Sequence, residues 1–185
     1  PSDVTQRLGA AAEAIAKEAA AGRIGSSESF RWVDGLIGDS IVPTHGNYAG
    51  PGYGDGQRNA TRQQLIDGKL AQVIDPTSGQ MRDDRVDQIA KPHDIAYSDA
   101  EGQPDHWQRI QKADQDLIDG CKKILREDKE GVVKLTDGER NYTIAMLALF
   151  EVKQQYINDN QALIERLISE GYSPSAISQM VMTMV

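Results

Sequence analysis

His93 and Asp94 stand side by side in a segment whose apolar residues recur at helical spacing. Val86, Ile89, Ala90, Ala96 and Tyr97 predict a helix starting near Arg82, with His93 on its apolar stripe. That is a costly place for a titratable side chain unless a partner meets it. Trp107, Ile110, Leu117, Cys121 and Leu125 predict a second helix, and Asp114 falls on its stripe. Helices joined by a short polar loop, here Ser98 to Pro104, pack antiparallel and stripe to stripe, which would bring His93 and Asp114 together. A His–Asp hydrogen bond satisfies both groups and fixes the imidazole tautomer; it suits a general base and equally a structural pair. Helix neighbours differ by about 100° in direction, so Asp94 can face a different partner from His93. A third ingredient is Asn47-Tyr48-Ala49-Gly50-Pro51-Gly52-Tyr53-Gly54. Its glycines allow sharp turns that free carbonyl oxygens to converge on a hard cation, although plain turns share this composition. No His or Cys spacing suits zinc, so an oxygen-liganded ion such as calcium is the metal this donor set would take.

The elements that must position these groups follow from the rest of the chain. At 185 residues it predicts one compact domain, with or without a helical appendage. The 20 Lys and Arg against 28 Asp and Glu give a net charge of -8, which excludes a general nucleic-acid binder and disfavours strongly anionic membranes. The single cysteine, Cys121, cannot form an internal disulfide, so packing must hold the fold. Residues Val4 to Ala21 predict a helix or linker ending at Gly22. Residues Ile24 to Gly56 read as loop around Trp32, Leu36, Ile37 and Ile41, and Ala60 to Val73 as a short helix. Asp75 to Gly79 is a turn cluster, and the acidic stretch to Asp84 reads as solvated rather than as a second calcium site. Thr136-Asp137-Gly138-Glu139 matches a capping box that opens a helix to about Ser169. Gly171 stops it, and Ser173-Pro174 starts a final helix with an apolar end, Met180 to Val185, suited to core packing or a partner. The longest uncharged apolar run, Thr143 to Phe150, is far short of the ~20 residues that span a bilayer, and the start does not read as a signal peptide.

The order of the motifs is more informative than any one of them. Tyr48-Ala49-Gly50-Pro51-Gly52, then Val86 to Tyr97 with its His93-Asp94-Ile95-Ala96-Tyr97, then Ala113-Asp114 on the next helix, resemble the phospholipase A2 superfamily, and among its branches the disulfide-free form of parvovirus capsid proteins. The resemblance covers about Tyr48 to Lys122. It implies that the carbonyls of Tyr48, Gly50 and Gly52 and the carboxylate of Asp94 bind one Ca2+. It further implies that His93 is the general base for water attacking the sn-2 ester of a phospholipid, that Asp114 holds its other ring nitrogen, and that Tyr97 supports Asp114. The Gly50 amide would join the ion in stabilising the oxyanion. The implied setting is peripheral attachment to a phospholipid membrane surface, no nucleic acid, and export or delivery as a toxin, effector or virion-type entry domain, with an inhibitor or delivery protein as a further partner. The competing reading is a noncatalytic module of the same shape that docks a protein.

The expected architecture is mainly α: two antiparallel central helices carrying the His/Asp site, a Gly-rich calcium loop, and flanking helices. It divides into an N-terminal helix or linker (1–23), a catalytic core (24–135) with an insertion near 57–84, and a C-terminal helical extension (136–185) packed on the core. Two departures from the family stand out. Pro92 lacks an amide hydrogen and would clash with the Gln88 carbonyl, which predicts a kink or a fresh helix start with His93 near the positive end. Forty residues separate Gly52 from His93, longer than the family's connector. His45 and His106 sit in polar sequence and read as solvated. Trp32, Trp107, Leu36 and Ile37 suit a lipid-facing rim or the core.

Overall fold

The computed structural model describes residues 31–34, 41–50 and 53–184. The expected N-terminal helix, Leu36, Ile37, Gly52 and Val185 lie outside them. Among the described residues the architecture is mainly helical. The strands form three separate two-stranded antiparallel pairs: β1 (Arg31–Asp34) with β2 (Ile41–Thr44), β3 (Tyr53–Gly54) with β4 (Gln57–Arg58), and β5 (Gln72–Ile74) with β6 (Met81–Asp83). The helices are α1 (Arg62–Asp67), α2 (Arg85–Ala100), α3 (His106–Lys129), α4 (Asp137–Asp159), α5 (Gln161–Ser169) and α6 (Pro174–Met184). No helix among the described residues is long and apolar enough to cross a membrane.

Buried acids fix where α2 begins. Asp84 is its N-cap, accepting from the amides of Val86 and Asp87, and its other oxygen meets His45 Nε2 at 2.7 Å. The acidic stretch therefore ends in a fully buried residue, not a solvated one, because Asp84 closes a helix end that the fold covers. Glu139 does the same for two helices. It completes the α4 capping box with Thr136, accepts from the amide of Arg85 at 2.7 Å, and receives both Arg82 guanidinium nitrogens at 2.8 and 2.7 Å.

With its start fixed at Arg85, α2 runs unbroken through Pro92 to Ala100. There is no fresh start at Pro92, and His93 lies in mid-helix, away from the positive end. Helix α2 packs lengthwise on α3. Gly120 permits the approach, since a Cβ there would stand 2.9 Å from Ile89 Cγ2. The main core joins Tyr48 and Ala49 of the loop, Val86 and Ala90 of α2, Leu117 and Cys121 of α3, and Tyr142 and Met146 of α4. Helix α4 thus contributes to this core. Ile157, Ile164, Ile177 and Val181 form a second cluster that seats α6, each side chain contributing about 1.5–3 kcal/mol by burial, with Trp107 packed against it.

The single helix expected from Thr136 to about Ser169 is two, α4 and α5, divided at Asn160, and three further local expectations are corrected. The helix of residues 60–73 shortens to α1, because the Thr61 capping box starts it and Gly68 ends it, and Gln72–Ile74 then pairs with β6. The expected loop of residues 24–56 contains β1, β2 and the start of the β3–β4 hairpin. His45 and His106 are buried at 0% and 8% exposure: His45 meets Asp84, and His106 Nε2 lies 2.9 Å from Ser175 Oγ at the start of α6.

His45 gives a pH test of this arrangement. Burial favours its neutral form, but the Asp84 hydrogen bond and the charges of Asp84, Asp87 and Glu139 outweigh this and raise its pKa above 6.5. A raised folded pKa stabilises fully below the unfolded value and loses that contribution as pH rises through the folded value. In urea unfolding, the stability advantage of the parent over His45→Gln should therefore shrink with rising pH above about 6.5. An advantage that grew with pH would contradict the pair.

Candidate functional site

Helix α2 turns His93 toward α3, where Asp114 is fully buried. His93 Nε2 lies 2.8 Å from Asp114 Oδ1, and the Tyr97 hydroxyl donates to the same oxygen at 2.6 Å. His93 and Tyr97 are one turn apart, so their rings stack at 4.6 Å, while Phe150 of α4 meets His93 edge-on at 5.4 Å. The expected His93, Asp114 and Tyr97 are thus brought together. His93 Nδ1 faces the other way, 3.6 Å from Asp94 Oδ1, too long for a hydrogen bond. The imidazole side chain keeps 13% of its surface exposed.

Two residues outside the expected set join this group. The Lys153 ammonium, carried by α4, donates to Asp114 Oδ2 at 2.5 Å, to the Tyr97 hydroxyl at 3.0 Å and to Ser178 Oγ of α6 at 2.7 Å. Burial alone would raise the Asp114 pKa, but the His93 hydrogen bond and the Lys153 charge outweigh it and hold the group below the usual carboxylate range. For His93, burial favours the neutral ring, yet Asp114 and Asp94 together raise its pKa above 6.5. Lys153 shares a helical stripe with Met146, Leu149 and Ile157, so a titratable residue on an apolar stripe was the signal that could have found it.

The glycine loop is held against α2 by Asp87, which sequence reasoning left without a role. Its fully buried carboxylate accepts from the amides of Asn47 (3.1 and 2.9 Å), Tyr48 (3.0 Å) and Ala71 (2.8 Å). Gly46 makes room for it: its φ is +58°, and a Cβ there would fall 2.4 Å from Asp87 Oδ1. The Tyr48 hydroxyl donates to the Leu65 carbonyl and Asn47 Nδ2 to the Lys69 carbonyl. The long connector therefore wraps the loop and draws it onto α2.

Asp94 looks toward this loop. Its Oδ2 is buried without a hydrogen-bond partner, and a Cβ on Gly54 would stand 3.2 Å from that oxygen. Burial pushes its pKa up to about 6, partly offset by His93. In the loop, the carbonyls of His45, Asn47 and Ala49 take backbone donors, whereas those of Tyr48 and Gly50 take none among the described residues. Among those residues no three His, Cys, Asp or Glu side chains converge as a metal site. The oxygens left without a donor here are the Tyr48 and Gly50 carbonyls and Asp94 Oδ2.

No family model, curated protein or solved structure matches this chain significantly. Function must be argued from these residues alone. A groove of about 520 Å³ lined by Leu70, Lys91, Pro92, Ile95 and Asp99 lies mostly on the side of α2 away from His93.

Removing the Asp87 carboxylate leaves three backbone amides without their acceptor. Asp87→Ala should cost about 3 kcal/mol of unfolding free energy. It should also quicken amide exchange at Asn47, Tyr48 and Ala71 before the rest of the core. Uniform exchange across the chain would show that Asp87 does not clamp the loop.

Proposed function

We propose that this chain is a calcium-dependent phospholipase A2 that hydrolyses the sn-2 ester of glycerophospholipids at a membrane surface. The observation that carries the reading is a largely buried imidazole, oriented by a buried carboxylate, beside a second carboxylate whose unpartnered oxygen lies close to Gly54 of the glycine-rich loop. His93 Nδ1 would take the proton of the attacking water. Asp114 would stabilise the imidazolium that forms, and Tyr97 would keep Asp114 in place. The Gly50 amide is the donor assigned to the oxyanion. The Tyr48, Gly50 and Gly52 carbonyls with Asp94 are the donors for the ion, and the buried unsatisfied Oδ2 of Asp94 fits that use. When bound there, calcium would polarise the ester carbonyl and balance charge on the oxyanion and substrate phosphate.

The net charge of -8 supports zwitterionic rather than anionic lipid surfaces as targets, and the export or delivery setting belongs to the same proposal. One observation favours the noncatalytic alternative: both Asp114 oxygens are hydrogen-bonded internally, as in a structural ion-pair network. Fatty-acid release from sn-2-labelled zwitterionic vesicles separates the two. The parent should release label only with calcium, chelator should stop it, His93→Gln should slow it about a thousandfold, and Asp94→Ala should abolish the calcium-dependent release. The rate should also fall as pH drops and the imidazole takes up its proton. Calcium binding without turnover would favour the docking module, and release indifferent to chelator and both substitutions would end the enzyme reading.

A further inference from the structure

Helices α4 and α6 reach into the His93–Asp114 group through a lysine that is 1% exposed and a serine that is 3% exposed. A proton inventory shows what they do there. The Tyr97 hydroxyl has one hydrogen, and it goes to Asp114 Oδ1. The three ammonium hydrogens of Lys153 go to Asp114 Oδ2, the Tyr97 oxygen and Ser178 Oγ. The Ser178 hydroxyl, 3.2 Å from the Tyr97 oxygen, has that atom as its acceptor, because the Tyr97 hydrogen is already committed. Every hydrogen on this side points inward around Asp114, so the carboxylate can act only as an acceptor. The hydrogen between it and His93 must then sit on Nε2, which leaves the lone pair on Nδ1. The rings of Tyr97 and Phe150, 5.7 and 5.3 Å from the Lys153 ammonium, further restrict where that charge can move.

We propose that Lys153 and Ser178 are positioning residues that lock the Asp114 carboxylate and thereby the Nε2–H tautomer of His93, making the C-terminal helices part of the site. Its kinetic consequence rests on the phospholipase reading; its structural half does not. A carboxylate turns about its last torsion with little preference. Here Lys153 alone holds Oδ2, and Ser178 holds the lysine. Without the ammonium, Oδ2 is a buried, unpaired acceptor, and Asp114 relieves this by rotating or taking up a proton, after which Nε2 no longer has a fixed acceptor.

Imidazole nitrogen NMR in the full chain, at a pH where the ring is neutral, reads the tautomer directly, and sn-2 ester hydrolysis with calcium supplies kcat and KM. The parent should show a single Nε2–H form. Lys153→Met should give a tautomer mixture and a kcat at least about tenfold lower with KM unchanged. Ser178→Ala should move both readouts the same way by less, and Ser178→Thr, which keeps the hydroxyl, should restore them. Should Lys153→Met fail to fold, the two Ser178 variants decide. A folded variant that lacks the ammonium or the hydroxyl yet retains the parent tautomer overturns the proposal. Tautomer loss with kcat unchanged overturns its catalytic half. If the parent fixes the tautomer through Lys153 but releases no fatty acid, only the phospholipase reading falls.

Discussion

Asp84, Asp87, Asp114 and Glu139 are all withdrawn completely from solvent in a chain whose net charge is already -8. Burial strips each carboxylate of water, and hydrogen-bond donors must replace it. Each of the four solves this with donors remote in sequence: Asp84 with His45, Asp87 with the loop amides, Asp114 with His93 and Lys153, and Glu139 with Arg82 and the first amide of α2. The requirement thus acts as an assembly rule. It ties the loop to α2, α2 to α3, and α4 to both, at contacts that apolar packing alone would leave free to slide.

Against that pattern Asp94 is the exception. It lies one residue from His93, is largely buried, and has an oxygen with no donor. The forty residues between Gly52 and His93 put any meeting of loop and helix in question. Asp87 brings loop and helix together, since one carboxylate on α2 binds amides at Asn47 and Tyr48, before the excursion, and at Ala71, midway through it. The connector closes on itself before α2 begins, so its length does not set the distance between the loop and Asp94.

What could be read in the sequence was whatever depends on neighbours along the chain. The capping box at Thr136, the stop at Gly171 and the pairing of His93 with Asp114 and Tyr97 all follow from spacing of three to seven residues within a helix and from the packing of consecutive helices. Residues whose partners lie far away were not legible. His45 sits in polar sequence yet is enclosed because Asp84, thirty-nine positions on, needs a donor. His106 is covered by α6 through Ser175, sixty-nine positions on. Strands of two to four residues carry too little alternation to show a period, so the hairpins were read as loop. Pro92 misled in the opposite direction: one lost backbone bond is a local cost, and two caps at the start of α2 with packing along α3 outweigh it.

The composition of the Asp114 network bears on why it exists. Replacing a buried ion pair with apolar residues of similar volume is often neutral or stabilising, so holding α2, α3 and α4 together does not by itself call for a lysine, an aspartate and a histidine. Met146, Leu117 and Val86 already perform that task on the same helices by burial. A polar network in the same core is more readily understood if one of its members has work at the surface. His93 is that member: its Nε2 meets Asp114, while Nδ1 faces the Asp94 carboxylate, whose other oxygen has no partner among the described residues. An ion pair built only for cohesion would have no reason to end beside such an oxygen. This asymmetry, a network complete on one side of an imidazole and unfinished on the other, is the feature that the proposed hydrolysis would use.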